Sequence, residues 1–422
     1  MSEQVLLLVG IVVAAFVGVN IGGSGTGVAF GPAVGSGLIS KVGAGALMSA
    51  FVLGGGWTIG RRVVDTLGAG LLRGNPFTLE TSIVVLLFVG GALFVSNLFG
   101  VPASTSMTAV GAIAGLGIAR GTLNGGVALE IVAWWLVAPV VGFWVSAVVG
   151  RYWYDRLAAT LAIDRTGGFP ARIDRSGRIS TIRSAPSATP RELLGAVVVI
   201  AIACLNAFSA GASNVANAVA PLVGSGDLSM NGGVLLAALA MGVGAFTLGR
   251  RTLETMGNDL TELPLTAALV VSLVTSALVV GLSALGIPAS FVVIATMSIV
   301  GLGWGRATRL QELPDTPTEH PAALGAPVGS ADAPGAVEAD RATATEPADT
   351  GDRSTANEGS AVDGSSTREQ SSTGDESSTG DALSVADLYK PSTTARVVLL
   401  QNAVPVAATI GSYVVFRAVP AL

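Results

Sequence analysis

Reactive side chains are scarce in this chain. It has one cysteine and one histidine in 422 residues, and only 12% of its residues are charged. Cys204 stands alone in an apolar run, which excludes a disulfide or a cysteine metal site within one chain. It reads as a small buried hydrophobe. His320 lies in a polar segment, so a histidine-based metal or acid/base centre is excluded as well. With no nucleophile–base pair and no metal-ligand cluster in view, the sequence speaks against an enzyme. Lysine is nearly missing too, with Lys41 and Lys390 set against 21 arginines.

Half of the residues are hydrophobic, and the mean hydropathy is +0.66. That leaves too little polar surface for a soluble globule, so the chain reads as an all-α polytopic membrane protein. Continuous rather than alternating apolar runs exclude a strand-based barrel. A crossing needs about 20 residues. Stretches of that kind lie near 4–20, 43–60, 82–99, 101–119, 127–150, 192–210, 232–248, 264–285, 287–305 and 394–419. The expectation is ten crossings plus two broken segments. The flank MSEQ carries Glu3 and no basic residue, the wrong sign for a signal peptide, so the first stretch reads as an uncleaved helix.

Two polar segments divide the chain. Residues 151–191 carry eight arginines against Asp155, Asp164 and Asp174, which makes this a cytoplasmic loop by the positive-inside rule. Residues 306–392 are rich in Ser, Thr, Gly, Ala, Asp and Glu and include SSTGDESSTGD, a composition that buries no core and predicts an acidic disordered linker. The expected organisation is a first membrane repeat at 1–150, the basic loop, a second membrane repeat at 192–305, the linker, and a C-terminal transmembrane helix at 393–422. The basic loop is short and little interleaved with aromatics, so nucleic acid is not an expected partner.

The most informative feature is a duplication. GGSGTGVAFGPAVGSG at 22–37 returns as GASNVANAVAPLVGSG at 211–226, an offset of 189 residues. The same offset carries Gly60-Arg61-Arg62 onto Gly249-Arg250-Arg251. Gly100-Val101-Pro102-Ala103-Ser104 matches Gly286-Ile287-Pro288-Ala289-Ser290 at an offset of 186. An odd number of crossings per copy, five by the count above, makes these inverted-topology repeats. Glycine- and serine-rich interruptions repeated in the two halves predict broken or re-entrant helices, the sign of a transporter site.

Ala207 to Ala218, AFSAGASNVANA, resembles the duplicated G-A-N-D-V-A-N-A signature of the inorganic phosphate transporter (PiT) family. Pro102-Ala103-Ser104-Thr105-Ser106 is similar to that family's P-V-S-T-T motif, and Leu260-Thr261-Glu262-Leu263 fits the stretch after the second signature. The resemblance implies a secondary carrier of inorganic phosphate, coupled to sodium or protons, with its site where the two signature loops meet. This chain departs from the pattern at both signature aspartates. The Asn-Asp pair is Ser24-Gly25 in one copy and Ser213-Asn214 in the other, and the later Asn is Val28 in the first copy and Asn217 in the second. The second P-V-S-T-T copy is eroded to Pro288-Ala289-Ser290-Phe291-Val292.

A helix broken in mid-membrane would present N–H groups to an anion. The substrate-binding candidates are Gly23, Ser24, Gly25 and Thr26 in the first signature, Ser213, Asn214 and Asn217 in the second, and Ser104, Thr105 and Ser106 closing the cage. Ser36 and Ser225 are further phosphate contacts on this reading. For the serines and threonines of the 104–108 segment, back-bonding within their own helix is the competing reading, and for the glycines it is tight helix packing. No catalytic, cofactor or metal residue is expected. Sodium as coupling ion would use oxygens of Ser24, Thr26, Asn214 or Asn217. Expected partners are inorganic phosphate and the lipid bilayer, with a homo-oligomer left open. A sulfate or other oxyanion permease of the same fold, and a non-transporting anion sensor or scaffold, remain as alternatives.

Overall fold

The computed structural model describes residues 3–74, 76–98, 103–161, 171–174, 181–184, 190–250, 253, 264–310 and 391–419. The linker, Arg251 and the 260–263 stretch lie outside the described residues. Among the described residues the ordered elements are helices apart from one short antiparallel strand pair, Ala171–Asp174 with Thr181–Ser184. Seven of the described helices are long and apolar enough to cross a membrane.

The first copy begins with α1 (Glu3–Gly35) and α2 (Lys41–Gly70). Its next helices are α3 (Leu79–Leu98), α4 (Thr105–Arg120) and α5 (Gly125–Tyr152). After the short α6 (Tyr154–Leu161), the second copy opens with α7 (Pro190–Gly224) and α8 (Met230–Phe246). It continues with α9 (Leu265–Ala284), α10 (Phe291–Leu310) and α11 (Pro391–Ala418).

The duplication is visible at the level of single hydrogen bonds. After α1, Ser36 N donates to Pro32 O (3.1 Å) and Ile39 N to Ala33 O (3.2 Å); after α7, Ser225 N donates to Pro221 O (2.9 Å) and Leu228 N to Leu222 O (3.2 Å). Both turns pass through a glycine with positive φ, 76° at Gly37 and 86° at Gly226, where a side chain would be strained. Each next helix is then N-capped by a serine, Ser40 accepting from Gly43 N and Ser229 from Gly232 N.

Glycine contacts give the helix directions. On α1 and α8, Gly18 meets Ala240, Gly22 meets Met241 and Gly23 lies against Gly244, so the two helices run parallel; α2 and α7 do the same, with Gly55 against Phe208, Gly56 against Val215 and Gly68 against Ala220. In contrast, Gly45 meets Phe246 while Gly242 meets Ser49, so α2 and its copy α8 run antiparallel. It follows that α1 and α7 run antiparallel as well. The outer helices are exchanged between copies. α5 packs on α10 through Gly142, Gly150, Gly301 and Gly305, and α11 packs on α4 through Gly111 and Gly115.

The expected breaks inside the signatures do not occur. α1 and α7 run without interruption through Gly22–Gly35 and Gly211–Gly224. The reason is packing: a Cβ on Gly22 would overlap the Met241 carbonyl, and one on Gly211 the Val52 carbonyl. These glycines let backbones touch in a membrane bundle.

The interruptions lie instead between α3 and α4 and between α9 and α10, where the glycine–proline segments fall. Four stretches expected to be crossings pair as the arms of two hairpins, and three of the four are long and apolar enough to cross a membrane. The outer ends of the first lie side by side, because Arg73 N donates to Thr122 O (2.7 Å) and Asn124 N to Leu71 O (2.9 Å). The outer ends of the second both pack on Tyr154, which gathers Ala267, Val270, Val271 and Leu302.

Candidate functional site

The two hairpin tips and the middles of α1 and α7 enclose a cavity of about 390 Å³. Among the described residues no Asp, Glu, Lys, Arg or His contributes to its wall. Among the described residues no cluster of three metal-ligating side chains is present.

The first copy contributes Gly23, Ser24 and Gly25, as expected, and also Asn20 and Asn97. Its polar groups are largely spent on one another. Ser24 Oγ donates to Asn20 O (3.1 Å), Asn20 Nδ2 donates to Phe16 O (2.9 Å), and Asn20 Oδ1 accepts from Asn97 Nδ2 (3.2 Å). Thr26 is not part of the wall. It is fully buried and donates to Gly22 O (2.7 Å), the back-bonding that a threonine makes inside a continuous helix.

The second copy presents one face of α7, with Asn206, Ser209, Ala210, Ser213 and Asn214 on the wall at helical spacing. Asn214 Oδ1 accepts from Thr105 Oγ1 (2.7 Å) and from Asn217 Nδ2 (3.1 Å). With its oxygen engaged twice, Asn214 keeps its Nδ2 hydrogens for the cavity. Ser106 and Asn217 lie one layer behind. Ser106 Oγ donates to Ala289 O (2.9 Å) and accepts from Asn217 Nδ2 (3.3 Å), and Ser213 Oγ also donates to Ala289 O (3.0 Å). Thr105 and Ser106 thus bond across the site rather than back into their own helix, whereas Thr108 donates to Ser104 O (2.8 Å). Asn217 Oδ1 is buried and has no hydrogen-bond partner.

The helix N-termini at the cavity belong to the hairpin tips and not to the signatures. At the start of α4, Ser104 Oγ accepts from Met107 N (3.3 Å) and Ser104 O from Thr108 N (3.0 Å), which leaves the first-turn N–H groups of Thr105 and Ser106. At the start of α10, Ser290 Oγ accepts from Val293 N (3.4 Å) and Ser290 O from Ile294 N (3.3 Å), which leaves those of Phe291 and Val292. Ser104, Thr105, Ser290, Phe291 and Val292 all line the cavity. Two positive helix ends therefore face one uncharged space. Ser290 escaped the sequence reading because the residues after it look eroded, yet the tip needs only the capping hydroxyl that it keeps. Asn20, Asn97 and Asn206 escaped because they fall outside the signatures; amides in apolar runs are costly enough to have been a signal.

The second tip is tied down from outside its own hairpin. Trp135 Nε1 donates to Pro288 O (2.8 Å), next to the Ala289 carbonyl that Ser106 and Ser213 share, and Arg62 Nη1 donates to Ala284 O at the end of α9. Trp135→Phe, which keeps the bulk and loses about 1 kcal/mol of hydrogen bond, is expected to weaken apparent substrate affinity about fivefold. Transport kinetics on matched amounts of folded protein check this.

One further expectation needs correction. Ser36 and Ser225 sit at helix ends, bonded to Pro32 O (2.7 Å) and to Asp227 Oδ2 (2.6 Å), and not at the cavity. Arg61 stacks on Trp57 (4.4 Å to the ring centroid) and donates to Asn231 Oδ1 (2.7 Å), a local anchor. Glu130 likewise lies outside the wall.

This arrangement has relatives. The phosphate transporter family model matches residues 21–315. A sulfate permease, CysP, of Bacillus subtilis is 32% identical over 300 residues, covering 71% of this chain and 77% of the relative. A putative phosphate permease of Haemophilus influenzae is 26% identical over 361 residues, covering 69% and 86%. The solved structure titled "The sodium-dependent phosphate transporter" superposes with a TM-score of 0.57 at 20% identity, covering 74% of this chain and 92% of that one, a likeness of fold. A family match that takes in both signatures, both hairpins and the cavity between them makes this chain a multi-pass membrane protein belonging to the phosphate transporter family.

Proposed function

We propose that the chain is a secondary carrier of a tetrahedral oxyanion and that its site favours sulfate over phosphate. One observation carries this: among the described residues the cavity wall offers hydroxyl, amide and helix N-terminal donors and no carboxylate. Phosphate near neutral pH bears O–H groups that need acceptors, whereas sulfate only accepts. A carboxylate 4 Å from a dianion would repel it by roughly 4 kcal/mol per unit charge at an effective dielectric of about 20. Where the family pattern has aspartates, this chain has Gly25 and Asn214. The similarity to a sulfate permease supports the same reading. Phosphate is the second reading, favoured by the family model and by the phosphate permease relative.

Antiparallel copies of α2 and α8 support an inverted-topology carrier working by alternating access. Sodium is the coupling ion we favour, because the buried Asn217 Oδ1 lacks a hydrogen-bond partner and is an oxygen that a cation could take. Among the described residues no side chain of the cavity wall could relay a proton. The test is uptake of labelled sulfate and labelled phosphate into proteoliposomes with and without an inward sodium gradient. Sodium-driven sulfate uptake resistant to excess phosphate is expected; phosphate uptake resistant to sulfate would reject the substrate assignment.

A further inference from the structure

α7 carries two oriented amides on the cavity wall, and only one of them belongs to the signature. The other is Asn206, which is 4% exposed. Its Oδ1 accepts a hydrogen bond from Ser276 Oγ on α9, a residue that is fully buried and stands behind the wall. The same logic that orients Asn214 applies here, because an amide whose oxygen is held turns its N–H groups the other way. Asn206 then offers donors to the cavity. The first copy has nothing equivalent, since Asn20 directs its Nδ2 at Phe16 O (2.9 Å) and its Oδ1 at Asn97 (3.2 Å).

Asn206 and Asn214 are eight residues apart on one helix, about 12 Å along the axis at 1.5 Å per residue. Two hydrogen bonds of about 3 Å plus the width of a tetrahedral ion fall short of that separation. One ion therefore cannot engage both amides at their own levels. We infer that Asn206, held by Ser276, is a second oxyanion station, two helical turns from the station formed by Asn214 and the hairpin tips. It serves the ion on its way to or from that station. Ser276 is a positioning residue that acts only through the Asn206 amide. The inference rests on the carrier reading above, and its chemistry is that of a fully deprotonated oxyanion, since the station offers donors.

The test uses the full-length chain in proteoliposomes with labelled sulfate, and sulfate-induced thermal stabilisation of the purified protein as a second readout. Asn206→Asp, the same shape with an acceptor in place of the donor, is expected to raise the apparent KM for sulfate about tenfold or more. Ser276→Ala is expected to raise it about threefold to tenfold, and Ser276→Thr, which keeps the hydroxyl, to restore it. The amount of folded protein should be unchanged in all three. A simple packing role for Ser276 would instead lower the folded yield with KM intact. Wild-type KM and wild-type sulfate stabilisation in both Asn206→Asp and Ser276→Ala would overturn the second station while leaving the carrier assignment standing. If the wild-type protein takes up phosphate and not sulfate, the same comparison is read on phosphate. Neither uptake nor stabilisation by either anion would overturn both.

Discussion

Asn214→Asp is expected to reduce sulfate uptake by about 100-fold or more. The substitution is isosteric, and the two bonds that orient the side chain, from Thr105 Oγ1 and Asn217 Nδ2, both end on its oxygen. Both survive the change, so the site keeps its shape. Only the Nδ2 donor becomes a second carboxylate oxygen, which restores a charge of the kind the family signature carries. At contact distance the repulsion of a dianion is worth several kcal/mol, and every 1.4 kcal/mol is a factor of ten. Phosphate uptake should suffer less, because a phosphate O–H can donate to the new carboxylate. Initial rates with both anions at matched protein levels test this. Equal loss for sulfate and phosphate would mean that Asn214 supports the fold rather than reads the anion.

Gly211→Val is expected to abolish accumulation of folded protein. Its Cβ would overlap the Val52 carbonyl of α2, and the obstacle is backbone, which cannot rotate away. Ordinary overpacking costs about 1–3 kcal/mol; forcing two helices apart along a shared seam also opens the contacts at Gly55, Gly56 and Gly68. Gly281→Ala is the matched control, a helical glycine with nothing within 4 Å of the added carbon. Monodisperse protein after detergent extraction is the measurement. Recovery of Gly211→Val at the level of Gly281→Ala would show that the seam tolerates separation.

Much of this architecture is legible in the sequence, because a constant offset over glycines and polar residues is a strong constraint. The turn at Gly37 recurs at Gly226 and the serine cap at Ser40 recurs at Ser229, both at the offset of the repeat. What misled was glycine itself. The same residue permits a helix to break and permits two helices to touch, and composition alone does not separate the two. In the signatures the partner backbone at Met241 or Val52 decides for packing, and that partner is remote in sequence. Pro288, between α9 and α10, was the better guide to interruption, since a proline removes an N–H and disfavours helix at the residue before it.

Within the site, Ser104, Thr105, Ser213 and Asn214 were readable from the motifs, and all four reach the wall. Ser106 and Asn217 were read as contacts but act from behind it, by holding Asn214 and the Ala289 carbonyl. Thr26 was read as a ligand along with its neighbours, which line the cavity, yet helix periodicity turns it onto Gly22 and toward Gly249. Asn206 and Ser276 could not be paired by inspection, since their contact depends on how the second hairpin packs on α7.

The most direct measurement is a structure of the protein with selenate, an electron-rich stand-in for sulfate. The ion is predicted between the start of α4 at Ser104–Thr105, the start of α10 at Ser290–Val292 and the Asn214 amide, with no carboxylate within hydrogen-bonding distance. An ion bound elsewhere, or bound in this cavity only when phosphate replaces selenate, would contradict a donor-only site built from two hairpin tips.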